Sequence, residues 1–144
     1  NPTWGHMRNV KQKNLERGAA FVELAIVLPI LLLFLMGAIE FGLLFYNQQV
    51  LTNSSREGAR SGITQLTENE IIAVVEHYCM DRLITFAVVP VLNTAVDGEG
   101  GSYASDLTVT VSYVYTFLIP ELIGLGTSMQ LSAETVMSME RVIP

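Results

Sequence analysis

The 144 residues suit one modest domain; half are hydrophobic and only 15% are charged, against roughly 25% in an ordinary soluble chain. With a mean hydropathy of +0.40, that balance excludes disorder as the dominant state, and a net charge of −6 disfavours nucleic-acid binding, which needs a basic stripe to neutralise phosphates. Cys79 is the single cysteine, so an internal disulfide is excluded and only a bridge to another chain stays open.

Residues 1–17 set Arg8, Lys11, Lys13 and Arg17 against Glu16 alone, a net charge of +3, whereas the rest of the chain has four basic and thirteen acidic side chains, a net −9. A basic head and an acidic body joined by an apolar run describe a membrane crossing with its N-terminus in the cytoplasm. Residues 1–6 precede Met7, and a native start there gives a basic leader of 12 residues ending at Gly18. From Ala19 to Tyr46 only Glu23 and Glu40 are charged. As a helix this stretch is about 42 Å long, enough to cross a hydrocarbon core of about 30 Å. The 16 uncharged residues Leu24–Ile39 are slightly short alone, which puts one or both glutamates at the boundary, and Phe41, Phe45 and Tyr46 fit an outer aromatic belt. A removable secretory signal fits less well: the run exceeds that class's apolar core of roughly 7–15 residues, and no A-x-A-like site precedes Asn47-Gln48-Gln49. Pro29 marks either a kink or a tolerated proline.

Glu23 is the informative residue here. A carboxylate in an apolar helix costs about 2.5–3.5 kcal/mol in the worst, central position unless it is paired or neutralised. A cut after Gly18 would give Ala19 a free amine and make Glu23 the fifth residue, placing an ammonium within reach of the carboxylate. Solvation of Glu23 among lipid headgroups is the equally open alternative. Gly37, Ala38 and Gly42 are small residues that permit close helix packing, or else simply face lipid.

Past Tyr46 the helical pattern continues, with Ser54, Ser55, Gly58, Ala59 and Gly62 at helical spacing, a groove into which another element can come close. Arg56 and Arg60, at i and i+4, share one face and either suit acidic partners or are solvated or bind lipid phosphates at the outer surface. Thr67-Glu68-Asn69-Glu70 reads as a capping box opening a second helix, with Ile71, Ile72, Val75, Tyr78, Cys79, Leu83 and Phe86 on one stripe that should pack on a sheet, and Pro90 limiting its far end. His77 and Asp81 stand one turn apart on that helix, but Cys79 between them points away, so a metal site is incomplete and a buried free thiol is the expectation. Val88–Ala95 is a weak strand interrupted at Pro90, and Asp97–Ser102 is a loop. Leu107, Val109, Val111, Tyr113, Tyr115 and Phe117 then alternate with Thr108, Thr110, Ser112, Val114 and Thr116, and Met129, Leu131, Ala133, Thr135, Met137 and Met139 stand opposite Gln130, Ser132, Glu134, Ser138 and Glu140. These are two half-buried antiparallel strands. The apolar connection Leu118–Gly126 reads as core cover, a short helix folded back over the sheet, with a contact to a partner as the alternative. No phosphate-binding loop, nucleophile elbow or zinc spacing occurs in the sequence.

Gly18-Ala19-Ala20-Phe21-Val22-Glu23, behind a basic leader and ahead of an apolar helix, resembles the prepilin processing motif of type IV pilins. Prepilin glutamates are often followed by a bulky aromatic, whereas Leu24 stands here. With Asn47-Gln48-Gln49 and the stretch Leu51–Arg60, which contains Arg56-Glu57-Gly58-Ala59-Arg60, the chain is similar to the TadE-like family of pseudopilins. The similarity is dense over 17–62, looser over 106–140, and absent from 63–105.

The resemblance implies a minor, non-enzymatic component of a Tad (Flp) pilus system, involved in cell adhesion. Its leader would be removed after Gly18 by a prepilin peptidase, and its partners would be that peptidase, other pilin-like subunits, the Tad machinery and membrane lipid, with no cofactor and no small-molecule substrate. The expected architecture is α+β: one N-terminal transmembrane helix (19–46) after the leader (1–18), extended into a small domain (47–144) in which a second helix packs on about three antiparallel strands. The domain would lie in the periplasm or outside the cell, anchored in the inner membrane. A principal filament subunit and a membrane-anchored ligand-binding or enzymatic domain are the rival readings.

Overall fold

A computed structural model describes residues 4–64, 66–85, 91–98, 106–118 and 128–138, without the side chains of 4–17. Helix α1 runs from Trp4 to Ile63, with Pro29 inside it. The chain divides into two compact units, Asn1–Ile39 and Glu40–Pro144. The described part of the first is helix alone, and its large apolar side chains are exposed, Phe21 at 72% and Phe34 at 76% among them.

The second unit has the expected α+β character. The distal part of α1 and a second helix, α2 (Glu68–Met80), pack with a three-stranded antiparallel sheet in the order β1 (Leu92–Asp97), β2 (Asp106–Thr116), β3 (Ser128–Ser138). The two-residue period of β2 is realised strictly, with Leu107, Val109, Val111, Tyr113 and Tyr115 buried on one face. The rings of Tyr113, Tyr115 and Phe117 meet edge to face along that line, at 6.5 and 5.3 Å between centroids. β3 supplies Leu131 and Ala133 to the same core, while Met129, expected on that face, stays 48% exposed at the strand's start. Met139 and the connection 119–126 lie outside the described residues, as does most of the loop after Asp97.

The small-residue stripe on α1 is where the unit closes. Ser54, Ser55, Gly58, Ala59 and Gly62 are all buried. A Cβ added at Gly58 would stand 2.5 Å from Cγ2 of Val75 and 3.2 Å from Cγ1 of Val109, and one at Gly62 would collide with Leu107. Side chains of α2 and of β2 therefore enter the groove that these glycines leave. The buried stripe of α2 is Ile71, Val75 and Cys79, so the helix packs across α1 as well as beside β1.

The cap of α2 forms as read: the Glu70 carboxylate accepts from both the backbone N–H and the hydroxyl of Thr67 at 2.8 Å, and those bonds, the backbone one foremost, hold it below the usual carboxylate range. Its other end is a correction. The apolar stripe extends to Leu83 and Phe86, but the helix stops at Met80, the N–H groups of Arg82 and Leu83 both closing on the Cys79 carbonyl. The cause is tertiary. Asn47 of α1 donates to the Ile84 carbonyl at 2.7 Å and accepts from the Ile84 N–H at 3.0 Å, so Ile84 has neither group left for a helical ladder. Leu83 still packs against the core, while Phe86 and Pro90 lie outside the described residues.

Of the weak strand expected over Val88–Ala95, residues 88–90 lie outside the described residues; β1 runs from Leu92 past Ala95 to Asp97, paired from Leu92↔Tyr113 to Asp97↔Thr108. It ends at Gly98, whose φ of +101° suits glycine alone, since a Cβ there would stand 2.6 Å from the Asp106 carbonyl oxygen.

Candidate membrane and assembly surface

Gly18–Ile63 is a helix long and apolar enough to cross a membrane, and none of its most apolar 18-residue window is buried. Leaving so many large apolar side chains in water would forfeit their burial energy, about 1.5–3 kcal/mol each. A nonpolar surrounding, lipid or other helices, is what such a surface fits.

On this helix Ala19 and Glu23 lie one turn apart and both are exposed. Among the described residues Glu23 has no hydrogen-bond or ion-pair partner. A Cβ at Gly18, Gly37 or Gly42 would meet nothing within 4 Å, and Ala38 is exposed; these positions are open on their own units. Phe41, Phe45 and Tyr46 are exposed at 63%, 65% and 44%, as an aromatic belt requires.

The base of the second unit is polar in a way that composition does not reveal. Glu40, only 6% exposed, accepts from the Tyr115 hydroxyl at 3.0 Å and from the Leu118 N–H at 2.9 Å. Burial first, and then the bond to Glu40, push the Tyr115 phenol well above its ordinary range. Seven residues on, Asn47 is fully buried and holds Ile84. Gln48 donates to the Ser132 carbonyl at 2.8 Å, and Ser55 shares a 2.8 Å hydrogen bond with the Thr135 hydroxyl. These contacts pin α1 to the end of α2 and to β3. The sequence places Glu40 only at a membrane boundary and gives Asn47 and Gln48 a part only in the family resemblance. A signal existed: Glu40, Asn47, Leu51, Ser54 and Gly58 follow one another at helical spacings of seven, four, three and four, a single buried stripe.

Arg56 and Arg60 are brought together as expected, exposed on one face of α1. They line an open cavity of about 490 Å³ with Asn53, Glu57, Tyr78, Thr135 and Met137. A second cavity, of about 540 Å³, runs along α2 past His77, Tyr78, Asp81 and Arg82. His77 and Asp81 approach to 3.9 Å but are 82% and 64% exposed, so neither is desolvated as a catalytic acid or base would be. Arg82 lies over the Tyr78 ring at 4.1 Å.

Cys79 is buried on the opposite side of α2 from His77, so the structure does not bring these three candidate ligands together. Burial raises the Cys79 thiol above its ordinary range, a Ser54 hydrogen bond lowers it in part, and the Glu76 charge raises it again. Such a thiol is protonated and shielded, and a bridge to another chain would require the core to open. In the folded chain Cys79 is expected to react with a maleimide at pH 7.5 at least about tenfold more slowly than in denaturant, as followed by intact mass; equal rates would show that the core around α2 is not closed.

Residues 18–60 match the family model of the TadE-like proteins. The matched stretch includes Gly18, Ala19, Glu23, Glu40, Asn47, Arg56, Gly58 and Arg60. No curated protein and no solved structure matches the chain.

Proposed function

From the TadE-like match over residues 18–60, we propose that this chain is a structural component of a Tad-type pilus system, a minor pseudopilin and not an enzyme. The observation that carries the reading is the coincidence of that match with an apolar, unburied stretch of α1 that begins at Gly18 and Glu23, in a chain whose second unit is α+β.

The sequence of events begins with insertion, the basic leader staying in the cytoplasm and the second unit passing outside the inner membrane. A prepilin peptidase then hydrolyses the Gly18–Ala19 peptide bond, water supplying the hydroxyl of the new carboxylate and the hydrogen of the new amine. That bond lies within α1, so it must be unwound to be cut, and a glycine lowers the cost by about 1 kcal/mol relative to alanine. The Ala19 ammonium pairs with Glu23, of the same chain or a neighbour, which offsets the cost of a carboxylate in the apolar layer. Helices of pilin-like subunits then close on one another at Gly37, Ala38 and Gly42, where no side chain keeps them apart.

Co-expression of the full chain with a prepilin peptidase, followed by intact-mass analysis, tests the reading. Loss of everything through Gly18 is expected, and an unchanged mass would overturn the processing step. In the same cells, Glu23→Leu is expected to leave insertion intact and to impair assembly; normal piliation would remove the pairing role. A minor component should also be scarce in sheared filaments, where a principal subunit would dominate.

A further inference from the structure

We propose that the cavity over Arg56 and Arg60 is a docking site for an acidic segment of another protein subunit, presenting two carboxylates about one helical turn apart beside an apolar side chain. The inference deepens the pilus-component reading and rests on it for where such a partner would be met. Only four basic residues follow the leader, and two of them stand together here against thirteen acidic ones in the same stretch. Neither has an ion-pair partner among the described residues, although Glu57 is their neighbour in the cavity wall. Two guanidiniums one turn apart match two carboxylates at the same spacing, each able to take a bidentate pair.

Three features select a protein segment over a lipid headgroup or a free phosphate. If the membrane span ends at Tyr46, Arg56 and Arg60 lie about 15 and 21 Å further along the helix, whereas the headgroup layer is only about 5–8 Å deep on each side. Glu57 in the same wall repels a compact dianion but accepts a bond from a lysine or amide of a polypeptide. Tyr78 and Met137, both half-buried, complete the wall with apolar surface that a phosphate cannot use.

The test uses the full chain in nanodiscs of zwitterionic lipid. Its probe is a fluorescent helical peptide with two glutamates at i and i+4, a leucine and a lysine; a control peptide carries glutamines instead. Binding is followed by anisotropy. The glutamate peptide is expected to bind at least about tenfold more tightly than the control, and Arg56→Gln with Arg60→Gln is expected to remove that difference, whereas Arg82→Gln leaves it. Equal binding of the two peptides to the unaltered protein, or an undiminished preference in the double variant, would overturn the proposal. So would loss of the glutamate peptide's preference in nanodiscs that carry anionic lipid, which would assign the site to headgroups, or displacement of the peptide by inorganic phosphate at the peptide's own affinity. The peptide comparison on the unaltered protein stands even if the double variant misfolds. None of these readouts depends on cleavage at Gly18, so processing and docking fail separately.

Discussion

Gly58→Leu is expected to lower the thermal midpoint of the second unit by about 10 °C, because a side chain forced into a filled groove costs about 1–3 kcal/mol and each kcal/mol is worth about 4–8 °C in a domain of 60–100 residues. The groove is already occupied by Cγ2 of Val75, 2.5 Å from where a Cβ would stand, and by Cγ1 of Val109. Val75 branches at Cβ and is fully buried, so it cannot swing aside without moving α2. Gly58→Ala should fall between the two, since alanine regains about 0.5–1 kcal/mol of helix propensity while still meeting Val75. At Gly42 nothing lies within 4 Å of the added Cβ, so Gly42→Ala should leave the midpoint unchanged or slightly raised. Near-UV circular dichroism of the full chain in detergent, heated stepwise, reads all three. A midpoint for Gly58→Leu within 2–3 °C of the unaltered protein, roughly half a kcal/mol, would mean that the groove is not closed.

Glu40→Leu separates composition from structure, because the two anticipate opposite signs. By hydropathy the change extends an apolar run and improves it. In the fold it removes the acceptor of both the Tyr115 hydroxyl and the Leu118 N–H, and a buried donor left without a partner costs about 1–3 kcal/mol. The expected outcome is a loss of about 2–4 kcal/mol from the second unit, seen as earlier unfolding in a denaturant series monitored through the tyrosines. Glu40→Gln keeps a carbonyl acceptor in the same place and should cost less than half as much. A double-mutant cycle of Glu40→Leu with Tyr115→Phe isolates the pair, with a coupling of about 1–2 kcal/mol expected. A coupling near zero would mean that the carboxyl and the phenol do not share a bond in solution. The contribution of Tyr115 also carries a sign in pH. Its folded value is raised, so its share of the stability is complete below about pH 10 and declines only as the pH climbs from there toward the raised folded value.

Much of the architecture was written in local patterns. The 3.6-residue period of α2, the cap at Thr67 and Glu70, and the two-residue period of Leu107–Tyr115 each depend on neighbours a few positions apart, and each element begins where its pattern begins, although α2 stops short of its stripe. The glycine and serine stripe likewise announced that something would approach α1. It did not say what, since an empty groove accepts any side chain of suitable shape; Val75, Val109 and Leu107 are the ones that fill it.

What the sequence alone determined is the apolar helix, its basic head, the class of the folded unit and the motif beginning at Gly18, because charge counts and periodicity need no partner to be read. Tertiary structure alone decided where α2 ends, why a glutamate at the edge of the apolar run is buried and bonded, and which side chains line the cavity beside Arg56 and Arg60. The physical reason is the same in each case. A hydrogen bond from Asn47 to Ile84 spans 37 residues and one from Tyr115 to Glu40 spans 75, and a polar side chain reveals its role only when the fold delivers the group it bonds.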